Sequence, residues 1–238
     1  MSVLVLRLAG PMQSWGTQSR FVHRDTGLEP SRSGVIGLLC AALGWPRDDP
    51  QKLETLSPHM LRMAVRVDRE GRLMRDYHTA QNVPRADISK PSQERVRERQ
   101  TALSERFFLA DADFLVGLEG QRALVEQLEG ALYAPEWPLF LGRKAFLPTP
   151  PIVHGIEDTD LMKTLQEWPW RRRVSWEDCP KQLRFIQEVS RSEGEPRPDV
   201  PLSFVSRDRR FALRHVKTSF IDRPSRILEP DQEYPPCS

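Results

Sequence analysis

The order strand, helix, strand, strand, helix over the first 135 of 238 residues predicts an α+β fold of the ferredoxin-like class, the arrangement also used by RRM-type RNA binders. Two observations carry this. Short β-rich runs at 3–9, 63–67 and 112–120 are too brief for buried helices, and the segments 34–43 and 121–135 have the length and apolar spacing of helices. A long insertion at about 78–106 predicts a thumb on the domain 1–150. Residues 151–238 form a smaller C-terminal extension.

The first strand holds Val3, Leu4, Val5, Leu6 and Leu8, and Gly10-Pro11 ends it by loosening the backbone and then removing a donor. The loop that follows carries Gln13, Trp15, Arg20, Phe21, His23, Arg24 and Arg32. It leads into an apolar helix opened by Ser31 or Ser33 and closed at Gly44. A cationic, aromatic loop ending at a helix N-terminus suits a polyanion better than a small apolar ligand. Trp15 and Phe21 are candidates for stacking on bases, although a tryptophan beside a strand end is more often a core residue.

A short helix is expected at 48–57. Met63, Val65, Val67 and Leu73 then alternate around Arg-Glu-Gly-Arg as a strand and tight turn. After the strand 112–120, Leu124, Leu128 and Leu132 share one helical face, and Ala134-Pro135 ends that helix. The thumb, with Pro84, Arg85, Lys90, Pro91, Arg95, Arg97, Arg99 and Arg106, has little to build a core and projects into solvent or onto a partner. Beyond 151 periodicity fades. The segment 168–176 mixes tryptophans with three arginines, and 196–217 reads as a proline-rich linker, a basic cluster and one strand. Residues 207–226 hold seven Lys or Arg against two Asp, a stretch that suits RNA, an acidic neighbour or plain solvent.

The net charge of +2 excludes a free-standing polycation, so any nucleic-acid affinity rests on local patches. Of the 35 basic residues 29 are Arg, whose rigid fork suits phosphates and base edges, although a GC-rich genome produces the same excess. Cys40, Cys179 and Cys237 are odd in number and far apart, with no histidine at ligand spacing, so neither a zinc site nor a disulfide framework is expected, and no cofactor. Without a membrane-length apolar run or a signal pattern, a cytoplasmic location is expected and no membrane partner.

Four segments in order carry a resemblance: LRLAGPMQSWG at 6–16, PSRSGVIGLLCAALGWPRDD at 30–49, RDYHT at 75–79 and LFLGRKAFLPTPP at 139–151. They resemble the CasD family, the type I-E CRISPR subunit that caps the guide RNA within the Cascade surveillance complex. The resemblance implies the same ferredoxin-like fold, a thumb reaching along the RNA-bearing backbone, and as partners the crRNA 5′ handle, the backbone subunits and the large target-recognition subunit. Target DNA is met only indirectly, through guide pairing. The RNA-binding candidates are Arg20, Arg24, Ser31, Arg32, Ser33, His78, Thr79, Arg85, Gly142, Arg143 and Lys144. Among them Gly142 would let backbone approach the sugar-phosphate chain while Arg143 and Lys144 supply charge.

A non-catalytic RNA scaffold is the reading adopted. The main alternative is a metal-independent endoribonuclease processing guide precursors, with Tyr77, His78 and Lys144 as its acid-base and charge-stabilising groups. Relatives in another CRISPR subtype cut in this way, whereas type I-E systems give cleavage to a separate subunit. A protein-only connector is the third.

Overall fold

The computed structural model describes residues 1–16, 22–47, 49–84, 99–205 and 208–232. Along the chain run β1 (Ser2–Ala9), β2 (Met12–Gln13), β3 (His23–Arg24), α1 (Arg32–Ala42), α2 (Pro50–Glu54), β4 (Leu61–Arg69), β5 (Arg72–Pro84) and β6 (Arg99–Ala110). Then follow β7 (Asp113–Gly120), α3 (Arg122–Tyr133), β8 (Val153–Glu157), α4 (Leu161–Glu167), β9 (Trp170–Arg171), β10 (Gln182–Glu188), β11 (Glu195–Ser203), β12 (Arg210–Asp222) and β13 (Ile227–Leu228). Seven of the strands form one antiparallel sheet in the order β11-β12-β10-β4-β7-β1-β8.

Period-two alternation divides β1 between two cores. Leu4, Leu6 and Leu8 join Val35, Ile36 and Leu39 of α1 and Val125, Leu128 and Leu132 of α3 on one face. Val3 and Val5 lie on the other face with Ala64, Leu115 and Phe185, under Leu161, Leu165 and Trp168 of the α4 region. That helix rests directly on backbone, because a Cβ at Gly117 would stand 2.5 Å from Leu161 Cδ1. Arg66, fully buried, holds α4 down by donating to the carbonyls of Leu165 and Trp168 at 2.6 Å each. Both broad faces of the central strands are therefore covered, in contrast to the open sheet face on which RRM proteins stack bases.

The helix expected at 34–43 spans Arg32–Ala42; Ser31 caps it by accepting the Gly34 N–H at 3.3 Å, and Gly44 follows at φ +65°. The expected 48–57 helix is shorter, Pro50–Glu54, with Asp49 as its cap. On α3 the inward residues are Val125, Leu128 and Leu132, and Leu124 only flanks them.

The thumb differs most from expectation. Rather than starting at 78, it is a β-hairpin from Gly71 onward: β5 and β6 pair from Arg72↔Ala110 to Pro84↔Arg99, and residues 85–98 lie outside the described residues. β2 and β3 pair with the outer edge of β6, so the base of the arm is a small sheet in its own right. Its apolar residues Leu73, Tyr77 and Leu103 are exposed, the reason its sequence looks core-poor.

Residues after 150 supply both edges of the large sheet, β8 beside β1 and β10 to β12 beside β4. The line expected at 150/151 thus runs through a continuous sheet. The stretch 196–217, expected to hold one strand, holds most of two, because Pro196, Pro198 and Pro201 are accommodated on the edge strand β11.

Candidate nucleic-acid interface

The Gly10-Pro11 break turns the chain from β1 onto the base of the hairpin. Gln13, buried, donates through Nε2 to the carbonyls of Leu8 and Ala112 at 3.0 and 2.9 Å, and its Oε1 accepts the Trp15 Nε1–H at 3.1 Å. Trp15 is thereby a core residue with its polar edge satisfied. The loop beyond it is pinched shut where Thr26 Oγ1 accepts the Trp15 N–H at 2.9 Å and Trp15 O accepts the Gly27 N–H at 3.1 Å. This sets Arg24 on β3, in register with Arg106 of β6.

A third guanidinium joins them. Arg143 Nη2 donates to the carbonyl of Phe107 at 2.8 Å and, more weakly, to that of Arg24 at 3.4 Å, and its fork lies over the Phe146 ring. Partial burial pushes the Arg143 pKa down, and the neighbouring Arg106 and Arg24 charges add to that push, with Asp76 and Asp25 opposing it. Cations held together against their own repulsion make a local field that an anion relieves.

These arginines rim a cleft of about 660 Å³ lined along one side by α1, from Ser33 to Ala41. Arg47 and Arg209 add two further cations, against Asp25 and Asp49. The walls are aromatic, with Trp45, Trp137, Phe140, Phe204 and Phe211. Rigid cations beside flat rings are the elements that grip a single nucleic-acid strand, the charge holding phosphates and the rings stacking bases.

Of the residues singled out from sequence, Arg24, Ser31, Ser33, Gly142 and Arg143 line this cleft. Arg20 and Arg85 lie outside the described residues. Lys144 is exposed and stands outside the lining, and His78 and Thr79 sit on the hairpin strand β5. His78 has Asp76 Oδ2 at 3.8 Å from Nδ1, and Tyr77, the adjacent strand residue, faces the opposite way.

Arg32 is a correction. Its side chain is wholly buried, Nη1 on Glu188 at 2.8 Å and Nη2 on the carbonyls of Leu56 and Leu61 at 2.8 and 2.7 Å, so it has no fork to offer a phosphate. The helix N-terminus is likewise occupied from within: Asp199 takes the Arg32 N–H and Ser31 the Gly34 N–H. Gly142 also has a different role. At φ +96° its Cβ would fall 1.9 Å from Ser14 O, so the glycine lets the 141–143 turn close against the chain's own β2 end.

Arg47, Arg106, Arg209 and Phe211 were missed as site residues. Arg209 and Phe211 lie within the basic 207–226 stretch, where interleaved Arg-Arg-Phe was the available signal; Arg106 and Arg47 had none beyond their charge. Among the described residues no cluster of three His, Cys, Asp or Glu could hold a metal, and no helix is long and apolar enough to cross a membrane.

The fold and the cleft define a mixed α/β protein that carries a long hairpin and an arginine-rimmed, aromatic-walled groove beside it. The family model described as CRISPR-associated protein (Cas_Cas5) matches residues 3–217, and the chain belongs to that family. It is 36% identical over 222 residues to the CRISPR system Cascade subunit CasD of Escherichia coli (strain K12), covering 87% of this chain and 94% of that one. A chain of a solved CRISPR RNA-guided surveillance complex superposes with a TM-score of 0.78 at 36% identity, covering 98% of this chain and 95% of the other. A second solved structure, described as a Cas protein, gives a TM-score of 0.70 at 38% identity over 96% and 99% of the two chains.

Proposed function

We propose that this chain is the CasD-type subunit of a type I-E Cascade complex in the cytoplasm, holding the 5′ handle of the crRNA in the cleft and meeting neighbouring subunits with its hairpin. One observation carries the reading: Arg24, Arg106 and Arg143 converge on the rim of an aromatic cleft at the root of that hairpin, in a chain similar end to end to a Cascade subunit. The run β8-β1-β7-β4, with α1 and α3 packed together on one face of its strands, supports the ferredoxin-like description, since it is the split βαβ order of that class. Because α4 covers the opposite face, RNA is held at the end of the sheet.

A non-catalytic role is part of the proposal. Tyr77 and His78 point to opposite sides of one strand and cannot serve the same phosphate as an acid-base pair, which argues against the endoribonuclease reading.

The test is purification of the assembled complex through this chain and titration of repeat-derived handle RNA against salt. Arg106→Ala with Arg143→Ala should flatten the log-log salt slope by about 0.7 for each phosphate of a single strand that the rim no longer neutralises. An unchanged slope would remove the rim from the site.

A further inference from the structure

We propose that the C-terminal strand β12 completes the nucleotide site, with Phe211 stacking on an unpaired base and Arg209 holding the phosphate beside it. The proposal rests on the RNA reading above and extends it to a part of the chain that the hairpin and its motifs leave out.

Phe211 is 39% exposed, a flat apolar surface left in water at the wall of a cleft whose other resources are cationic. It belongs to the second strand of the sheet, and its register partner on β11 is Pro201, a residue with no aromatic face to cover it. Phe204 lines the same cleft but is half-buried, its Cζ 3.9 Å from where a Cβ on Gly37 of α1 would stand. Phe211 is thus the exposed ring that β12 places on the cleft wall, whereas Phe220 of the same strand lies outside the lining. Arg209, two residues earlier on the chain, is exposed on the same lining.

Charge selects the occupant. Five arginines line the cleft against two aspartates, and Asp49 is already engaged, as the α2 cap and with Lys52 at 3.4 Å. An excess of guanidinium groups around exposed rings fits the alternating phosphate and base of single-stranded RNA. The volume of about 660 Å³ lies inside the roughly 300–1,000 Å³ typical of ligand clefts. An acidic protein segment would satisfy the cations and leave the ring uncovered.

The experiment uses the assembled complex and handle RNA carrying 2-aminopurine at one position at a time, since stacking quenches its fluorescence. Wild type should quench at a position that Phe211→Ala and Phe211→Leu both release, with affinity about tenfold weaker. Phe211→Tyr should restore the quenching, and Phe220→Ala, an exposed ring farther along β12, should change nothing. Arg209→Gln should lower the salt slope by about 0.7. If Phe211→Ala keeps the wild-type quenching profile on bound RNA, the inference is overturned while the handle reading stands. It is also overturned if Phe211→Ala sheds a protein subunit yet binds handle RNA normally, which would make β12 a protein-docking edge. Wild-type complex that binds no handle RNA would overturn the functional reading itself.

Discussion

Asp199 accepts the main-chain N–H of Arg32 at 2.8 Å, and the two residues are 167 positions apart in the chain. The same carboxylate takes two hydrogen bonds from Arg214, at 2.6 and 2.8 Å, and Arg214 in turn reaches Glu188 at 3.1 Å, the partner of the Arg32 guanidinium. A closed ring of charges therefore joins the start of α1 to β10, β11 and β12.

Arg32→Ala should lower stability by about 3 kcal/mol, because it removes one charge of a buried network and the donor to the Leu56 and Leu61 carbonyls, while Glu188 keeps Arg214 as a partner. Urea denaturation of the purified chain measures it. Arg143→Ala, at the rim, should move the midpoint far less. A variant at 32 that kept the wild-type midpoint and was impaired only in RNA affinity would restore Arg32 as a phosphate ligand.

Gly142→Ala should destabilise by about 1–3 kcal/mol from backbone conformation alone, since φ is +96°. The clash with Ser14 O adds to that, so the turn must shift and carry Arg143 with it. The expected pattern is a lowered thermal midpoint together with weakened handle binding. Normal values for both would mean the turn tolerates a side chain.

His154 supplies a pH dependence. Burial pushes its pKa down to about 4, with the Arg7 and Arg171 charges adding to that and Asp113 opposing it. In the unfolded chain an imidazole titrates near 6.5, so between about 6.5 and 4 the unfolded state binds a proton that the folded state refuses. Stability is therefore full above that window and falls, by up to about 1.4 kcal/mol per pH unit, as pH drops through it. Urea midpoints at pH 7, 5.5 and 4.5 should decline more steeply for wild type than for His154→Gln. Parallel declines would assign the effect to carboxylates instead.

Replacing residues 85–98 by a two-residue Asn-Gly turn leaves the paired strands from Arg72↔Ala110 to Pro84↔Arg99 intact. The shortened chain should keep its thermal midpoint and fail to enter the complex with the neighbouring subunits. Normal assembly would take the end of the hairpin out of the interface.

The elements that the sequence made legible are those whose side chains follow one simple period: β1, α1, β4, β7 and α3 all bury regular apolar rows. β5 and β6 stayed hidden because an arm with solvent on its flanks needs no apolar face, and β10 to β12 because buried Arg214 and the edge prolines of β11 break the alternation. The site divides in the same way. Arg24, Ser31, Ser33, Gly142 and Arg143 stood out by their motifs, while Arg32 looked like its neighbours since the carboxylates that bury it, Glu188 and Asp199, lie more than 150 residues downstream.

The pinch between Trp15 and Thr26–Gly27 has a consequence for variation in length. Its two hydrogen bonds close the loop at the base, and the Val22 carbonyl is fixed separately by the Glu105 N–H at 2.8 Å. Residues inserted between Gly16 and Val22 therefore enlarge a ring that is already closed, and doubling such a ring costs only about 0.6 kcal/mol of chain entropy. Arg24 and Ser31 keep their places whatever the ring's size, so an insertion there should leave the cleft as it is.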